Sequence, residues 1–229
     1  GLLAFGWYKD DFKEYTISVT PVTTMKKADI YNEKAPKNYI PDFRHIAFTR
    51  DSKNILFTTD IINDKFTNRS IMKISPSGQG LSPVYAEKHD IANFMRPKNS
   101  DRLVIVTMAR SPLTTELVIQ EPDGSRHQIV PIDQGFATPT DFDEAQNPLV
   151  SDDGRMIASM VNGPRMNGEL YSIEPELKRL TKSQRPEFES VKWAEVKEVT
   201  FPAPDGTLIH GSIVHRPGLD LTKKHPAFL

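Results

Sequence analysis

A self-similarity with a period near 50 residues limits what this chain can fold into more than any other feature. Four stretches line up: "LLAFGWYKDDFKEYTISVTP", "NILFTTDIINDKFTNRSIMKISPSG", "RLVIVTMARSPLTTELVIQEPDG" and "RMIASMVNGPRMNGELYSIEPE". Each opens on an apolar run, at residues 2–5, 55–57, 103–106 and 156–158, and continues through a polar loop of variable length. An alternating segment follows, at 15–19, 70–74, 116–120 and 169–173, and each unit closes on a turn containing Pro21, Pro76, Pro122 or Pro175. Turn-forming clusters precede three of the runs, at 50–54, 97–101 and 151–154, rich in the Asp, Asn, Ser and Gly that tight hairpins need. Two of these turns follow a further short apolar stretch, at 46–48 and 91–95. Short strands, frequent turns and a period of this length mark the blades of a β-propeller. The alternation is by two, with almost none of the three-and-four spacing of a helix. A pair of immunoglobulin-like sandwiches also has short strands, but does not account for a fourfold return of one pattern.

The expected fold is therefore all-β: four recognisable propeller blades, the first clipped, over residues 1–190. Further blades are expected ahead of the first, because an unclosed ring leaves strand edges open to aggregation. The 229 residues begin Gly-Leu-Leu and end on "HPAFL", where Pro226, Ala227, Phe228 and Leu229 read as the start of a buried strand. Both ends are expected to be internal to a longer protein. Composition excludes little else. A formal charge of −1 gives no reason to expect nucleic acid or an anionic membrane as partner, and no apolar run is long enough for a membrane-spanning helix. With no cysteine, the chain has neither disulfides nor thiolate chemistry, and the compartment is not readable.

After "LKRLTKSQ" the repeat stops, and residues 191–229 read as a charged linker and a hairpin. Pro204-Asp-Gly-Thr207 is the turn, with residues 208–214 as the return arm. Blades, then "RLT", then "EVTFPAPDGTLIHGSIVHRPGLDLTKKHPAFL" closely resemble the domain junction of the prolyl oligopeptidase family of serine peptidases. The residues that carry the resemblance are Phe201, Asp205, Gly206, Ile209, Gly211, Pro217, Lys224 and Pro226. It implies that this hairpin opens an α/β-hydrolase domain, and that the parent cleaves short peptides through a Ser-His-Asp acyl-enzyme. The propeller would then gate access to that site. The chain itself holds no G-x-S-x-G elbow, so the catalytic Ser, Asp and His are expected beyond Leu229 and the chain alone is expected to be inactive. The paired-glutamate motif of the dipeptidyl-peptidase relatives is also missing, which leaves the subfamily open.

Within the chain, Arg110 and Arg165 occupy matching loops between the second and third strands of their blades, where an Arg could hold a peptide carboxylate. His210 and His215 are five apart on a strand, hence on opposite faces and poorly placed to share a metal. His45, His89, His127 and His225 fall in different units and read as surface or hydrogen-bonded residues. Asp141, Asp143 and Glu144 read as a solvated turn, since no Gly sits within the loop as oxygen-ligand cation sites require. No cofactor is implied. The alternative function is a non-catalytic propeller that binds a protein partner. A lyase or glycosidase would need channel-facing carboxylates or His ligands that no motif marks.

Overall fold

A computed structural model describes residues 1–36, 45–111, 114–129, 148–163 and 166–227. Among them the chain forms successive antiparallel meanders. The first sheet is three-stranded, β1 (Leu2–Lys9), β2 (Glu14–Pro21) and β3 (Ala28–Lys34). The second runs β4 (Ile46–Phe48), β5 (Ile55–Ile62), β6 (Lys65–Ile74) and β7 (Ser82–Tyr85). The third is β8 (Ile91–Met95), β9 (Leu103–Ser111), β10 (Thr114–Gln120) and β11 (Arg126–Ile129). The fourth is β12 (Leu149–Val150), β13 (Ile157–Gly163), β14 (Met166–Glu174) and β15 (Lys178–Arg179). A one-turn helix, α1 (Pro186–Glu189), leads to a separate hairpin of β16 (Glu195–Pro202) and β17 (Leu208–His215). These are propeller-like blades followed by the expected hairpin.

Packing follows from the period of two, because neighbouring residues on one strand serve different neighbours. Ile55, Phe57, Met72 and Ile74 of the second blade join Tyr15, Ile17, Val19 and Tyr31 of the first. Leu56 and Ile71 turn the other way, into a cluster with Ile91, Phe94, Leu103, Ile105 and Val118 of the third. There the alternation repeats: Val104, Val106, Leu117 and Ile119 meet Ile157, Val161, Tyr171 and Ile173 of the fourth. A strand buried on both faces reads as a continuous apolar run, which is why the second strand of each unit stood out in the sequence.

Three expectations need correction. Each complete blade has a fourth strand after the Pro turn, where no strand was expected. These outer strands read "SPVY", "RHQI" and "KR". They are short, largely polar or interrupted by Pro, as sheet edges are, so they carry little apolar signal even though Tyr85 is buried. The polar loop between the second and third strands is also largely strand. In the second blade it closes on a two-residue turn, Asn63–Asp64, with φ of 54° and 58°. Ile62 faces Lys65 across that turn, the geometry of a type I′ hairpin. At the far end, Pro226 and Ala227 are exposed and belong to no strand, while Phe228 and Leu229 lie outside the described residues. A strand exists only by pairing, and residues 226–227 pair with no described strand.

Phe57 is fully buried, with its ring 4.8 Å from that of Tyr31, whereas Met156 is 65% exposed. Phe57→Ala should lower the unfolding free energy by about 3–5 kcal/mol. Met156→Ala should change it by less than about 0.5 kcal/mol. Urea denaturation of the two variants reads both, and equal losses would mean that the blade interface is not the core.

Candidate functional site

The hydrogen bonds converge on the exit from the last blade. Glu169 lies in β14 opposite Val161, so it shares the face that packs on the third blade, and it is 0% exposed. Its carboxylate accepts five hydrogen bonds. The donors are Arg179 Nη2 (3.0 Å), Thr181 Oγ1 (2.5 Å), Ser183 N (2.7 Å), Ser183 Oγ (3.0 Å) and Gln184 N (3.3 Å). Thr181 is used twice, since its Oγ1 also accepts from Leu170 N at 2.9 Å. Arg179 Nε donates back to Thr181 O at 2.8 Å. Burial pushes the carboxyl pKa up, but the bonds from Thr181, Ser183 and Arg179 outweigh it and hold the group at about 2. A carboxylate so saturated neither takes up protons near neutrality nor has an open lone pair for a ligand. It is an anchor for the chain that leaves the propeller.

Beyond this anchor the linker folds into a small knob. Pro186 starts α1, where its missing N–H is harmless. The Phe188 and Trp193 rings lie 4.3 Å apart, and the indole donates to Phe188 O at 3.0 Å. A cleft of about 460 Å³ separates the knob from the hairpin base, lined by Phe188, Trp193, Glu195 and Pro217 among others.

The hairpin follows as expected. Its turn closes through Ala203 N to Thr207 O (2.7 Å) and Thr207 N to Asp205 Oδ1 (2.9 Å). Gly206 takes φ of 84°, the left-handed region that glycine enters without penalty. Cross-strand pairing puts Val199 opposite Gly211 and Phe201 opposite Ile209, with Ile213 on the same face. Gly211 leaves room for its neighbours, as a Cβ there would sit 3.7 Å from Val199 and 4.0 Å from Phe201. Phe201, Leu208, Ile209, Ile213 and Val214 are all exposed, so the hairpin shows apolar surface that the described residues do not cover.

A second polar cluster ties the third blade to the fourth. Arg102 donates to both Glu174 oxygens (2.5 and 3.1 Å), to Glu121 Oε1 (2.8 Å) and to Gly154 O (2.6 Å). His127 Nε2 lies 2.7 Å from Glu174 Oε1. Among the other histidines, His89 bonds Tyr85 Oη (3.2 Å) and His225 bonds Asp220 O (2.8 Å). His45 stacks edge-on against Phe94. His215 Nδ1 donates to Arg216 O (3.0 Å) beside Glu195, and His210 pairs with Thr200 across the hairpin. Arg110 belongs to strand β9 rather than to a loop. The Arg110 side chain, Arg165, and the cluster of Asp141, Asp143 and Glu144 lie outside the described residues. Sequence reasoning missed Glu169 and Arg102, although "RLT", which supplies two of the Glu169 donors, was in plain view.

No family model and no curated protein matches the chain. Solved structures do. Dipeptidyl peptidase 4 of Porphyromonas gingivalis superposes with a TM-score of 0.71 at 9% identity, over 98% of this chain and 31% of that one. An acylaminoacyl peptidase of Pyrococcus horikoshii gives 0.65 at 13% identity, over 98% and 32%. A prolyl endopeptidase, studied for the role of inter-domain dynamics in catalysis and specificity, gives 0.62 at 11%, over 96% and 32%. The chain thus shares its fold with part of each of these peptidases and spans about a third of their length.

The Glu169 anchor predicts a pH signature. A carboxyl held at about 2 against an ordinary 4.5 adds stability that is complete above 4.5 and lost as pH falls through 2. The gap in unfolding free energy between the native chain and Glu169→Gln should therefore be constant above pH 4.5 and shrink from there towards pH 2. Urea denaturation across that range measures it, and a gap that does not change with pH would remove the carboxylate from the account.

Proposed function

We propose that this chain is the substrate-gating propeller part of a serine peptidase acting on short peptides, with the boundary of a following hydrolase domain near residue 190. The observation that carries this reading is the hairpin. It stands beyond the last blade on an anchored linker, and Phe201, Ile209 and Ile213 share an apolar face that a two-stranded hairpin cannot bury by itself. The rest of an α/β-hydrolase domain is the partner such a face needs, and the fold shared with three kinds of peptidase supports the same assignment. In that arrangement the Ser, His and Asp lie in the hydrolase domain beyond Leu229. The propeller contributes size selection: a short extended peptide passes, and a folded protein does not.

The test is to express the chain with the residues that follow it in its coding sequence. A fluorophosphonate probe should label one serine of the longer protein and none of the 229-residue chain. The longer protein should cleave short peptides and leave folded proteins intact. No labelled serine would transfer the function to a non-catalytic binding module.

Arg110 and Arg165 are proposed to hold the carboxylate of the substrate. Charged hydrogen bonds are worth about 1.5–3 kcal/mol, so Ala at either position should lower kcat/KM for peptides with a free C-terminus by about 10- to 100-fold. The same peptides with amidated C-termini should lose far less. Equal losses on both would end this assignment.

A further inference from the structure

We propose that Glu169 sets the propeller-side limit of the joint between the two domains. Residues 181–184 then move with the last blade, and relative motion is confined to residues 185–194. This rests on the two-domain reading above and deepens it by naming the residue that positions the joint.

The geometry divides the linker sharply at Gln184. On the propeller side, Thr181 and Ser183 are themselves exposed, yet the Glu169 carboxylate beneath them is not. They are its cover as well as its donors. Lifting this segment would strip Glu169 of four of its five hydrogen bonds, leaving only Arg179. An ionised carboxylate in a closed site resists that loss strongly. On the far side, among the described residues, the hydrogen bonds of residues 185–194 close within the segment. Phe188 N donates to Arg185 O, Ser190 N to Glu187 O, and Trp193 to Val191 O and Phe188 O. The Lys182 to Glu189 ion pair that crosses the division is long, at 4.0 Å. Contacts of that kind between exposed side chains contribute little.

Two lysines flank the division and report on it. Lys182 lies between two anchored residues although its side chain is 73% exposed, and Lys192 lies in the far segment. A protease needs a locally mobile backbone as well as an accessible side chain. Brief trypsin treatment of the native 229-residue chain should therefore cut after Lys192 at least about tenfold faster than after Lys182. Glu169→Gln should speed the cut after Lys182 about tenfold and leave the rate after Lys192 unchanged. Amide exchange at Ser183 and Gln184 should accelerate with it, while amides of β9 and β13 stay protected.

Should Glu169→Gln fail to fold, cleavage will spread into the blades, for example after Lys73. Thr181→Val then decides, because it removes a linker-side donor and leaves the carboxylate in place. Equal cutting at the two lysines in the native chain overturns the proposal. So does an unchanged rate after Lys182 in Thr181→Val. The readout needs no active site, so a longer protein without a reactive serine would end the peptidase reading and leave this result to stand by itself.

Discussion

Burial of both faces of the inner strands is the constraint on which the molecule depends. Ile55 and Phe57 reach one neighbour and Leu56 the other, so a blade lifted out of the stack would expose apolar surface on both sides. Burial is worth roughly 25 cal/mol per Å² of apolar surface, so this surface holds the blades in sequence. Polar ties at the turns then fix their register. Arg50 N donates to Asp101 Oδ1, and Asn99 N to Asp152 O, so each turn grips the next one a period later. Arg102 extends the same logic from the third blade to Glu174 and Gly154 of the fourth. Gly154 tolerates no side chain, as it sits at φ of 77° with Pro97 only 2.9 Å from where a Cβ would be.

Legibility followed burial. The second and third strands of each blade could be read because their residues face two cores, which leaves continuous or alternating apolar runs. The outer strands could not be, since "RHQI" and "KR" are polar residues at an edge and pair through backbone groups that any residue has. The Asn63–Asp64 turn could have been placed, because both residues tolerate positive φ. The surrounding polar stretch concealed it by resembling a loop. Glu169 shows the deeper limit: its role depends on donors 10 to 15 residues away, with Thr181 and Ser183 brought in only once β15 has paired.

Past the last blade, separate motifs each hold one part of the chain in place. "RLT" supplies the guanidinium and hydroxyl that hold Glu169, and "DG" turns the hairpin. Gly211 leaves the surface clear beneath Val199 and Phe201, so the apolar side chains of that face lie together. Residues far apart in sequence thereby fix the start of the linker and gather the apolar face of the hairpin.

The repeat also explains where such an anchor could come from. Glu116 stands 53 residues before Glu169, at the same place in the third strand of the preceding blade, and is likewise buried, at 2% exposure. A buried carboxylate at the head of the third strand is thus a feature of more than one blade. In the last blade it faces the chain that leaves the propeller, and Thr181, Ser183 and Gln184 of that chain donate to it. The first two blades carry Tyr15 and Ser70 at this place, so the carboxylate belongs to the last two units rather than to the repeat as such. The anchor thus joins a group that two blades share to a linker whose first residues donate to it.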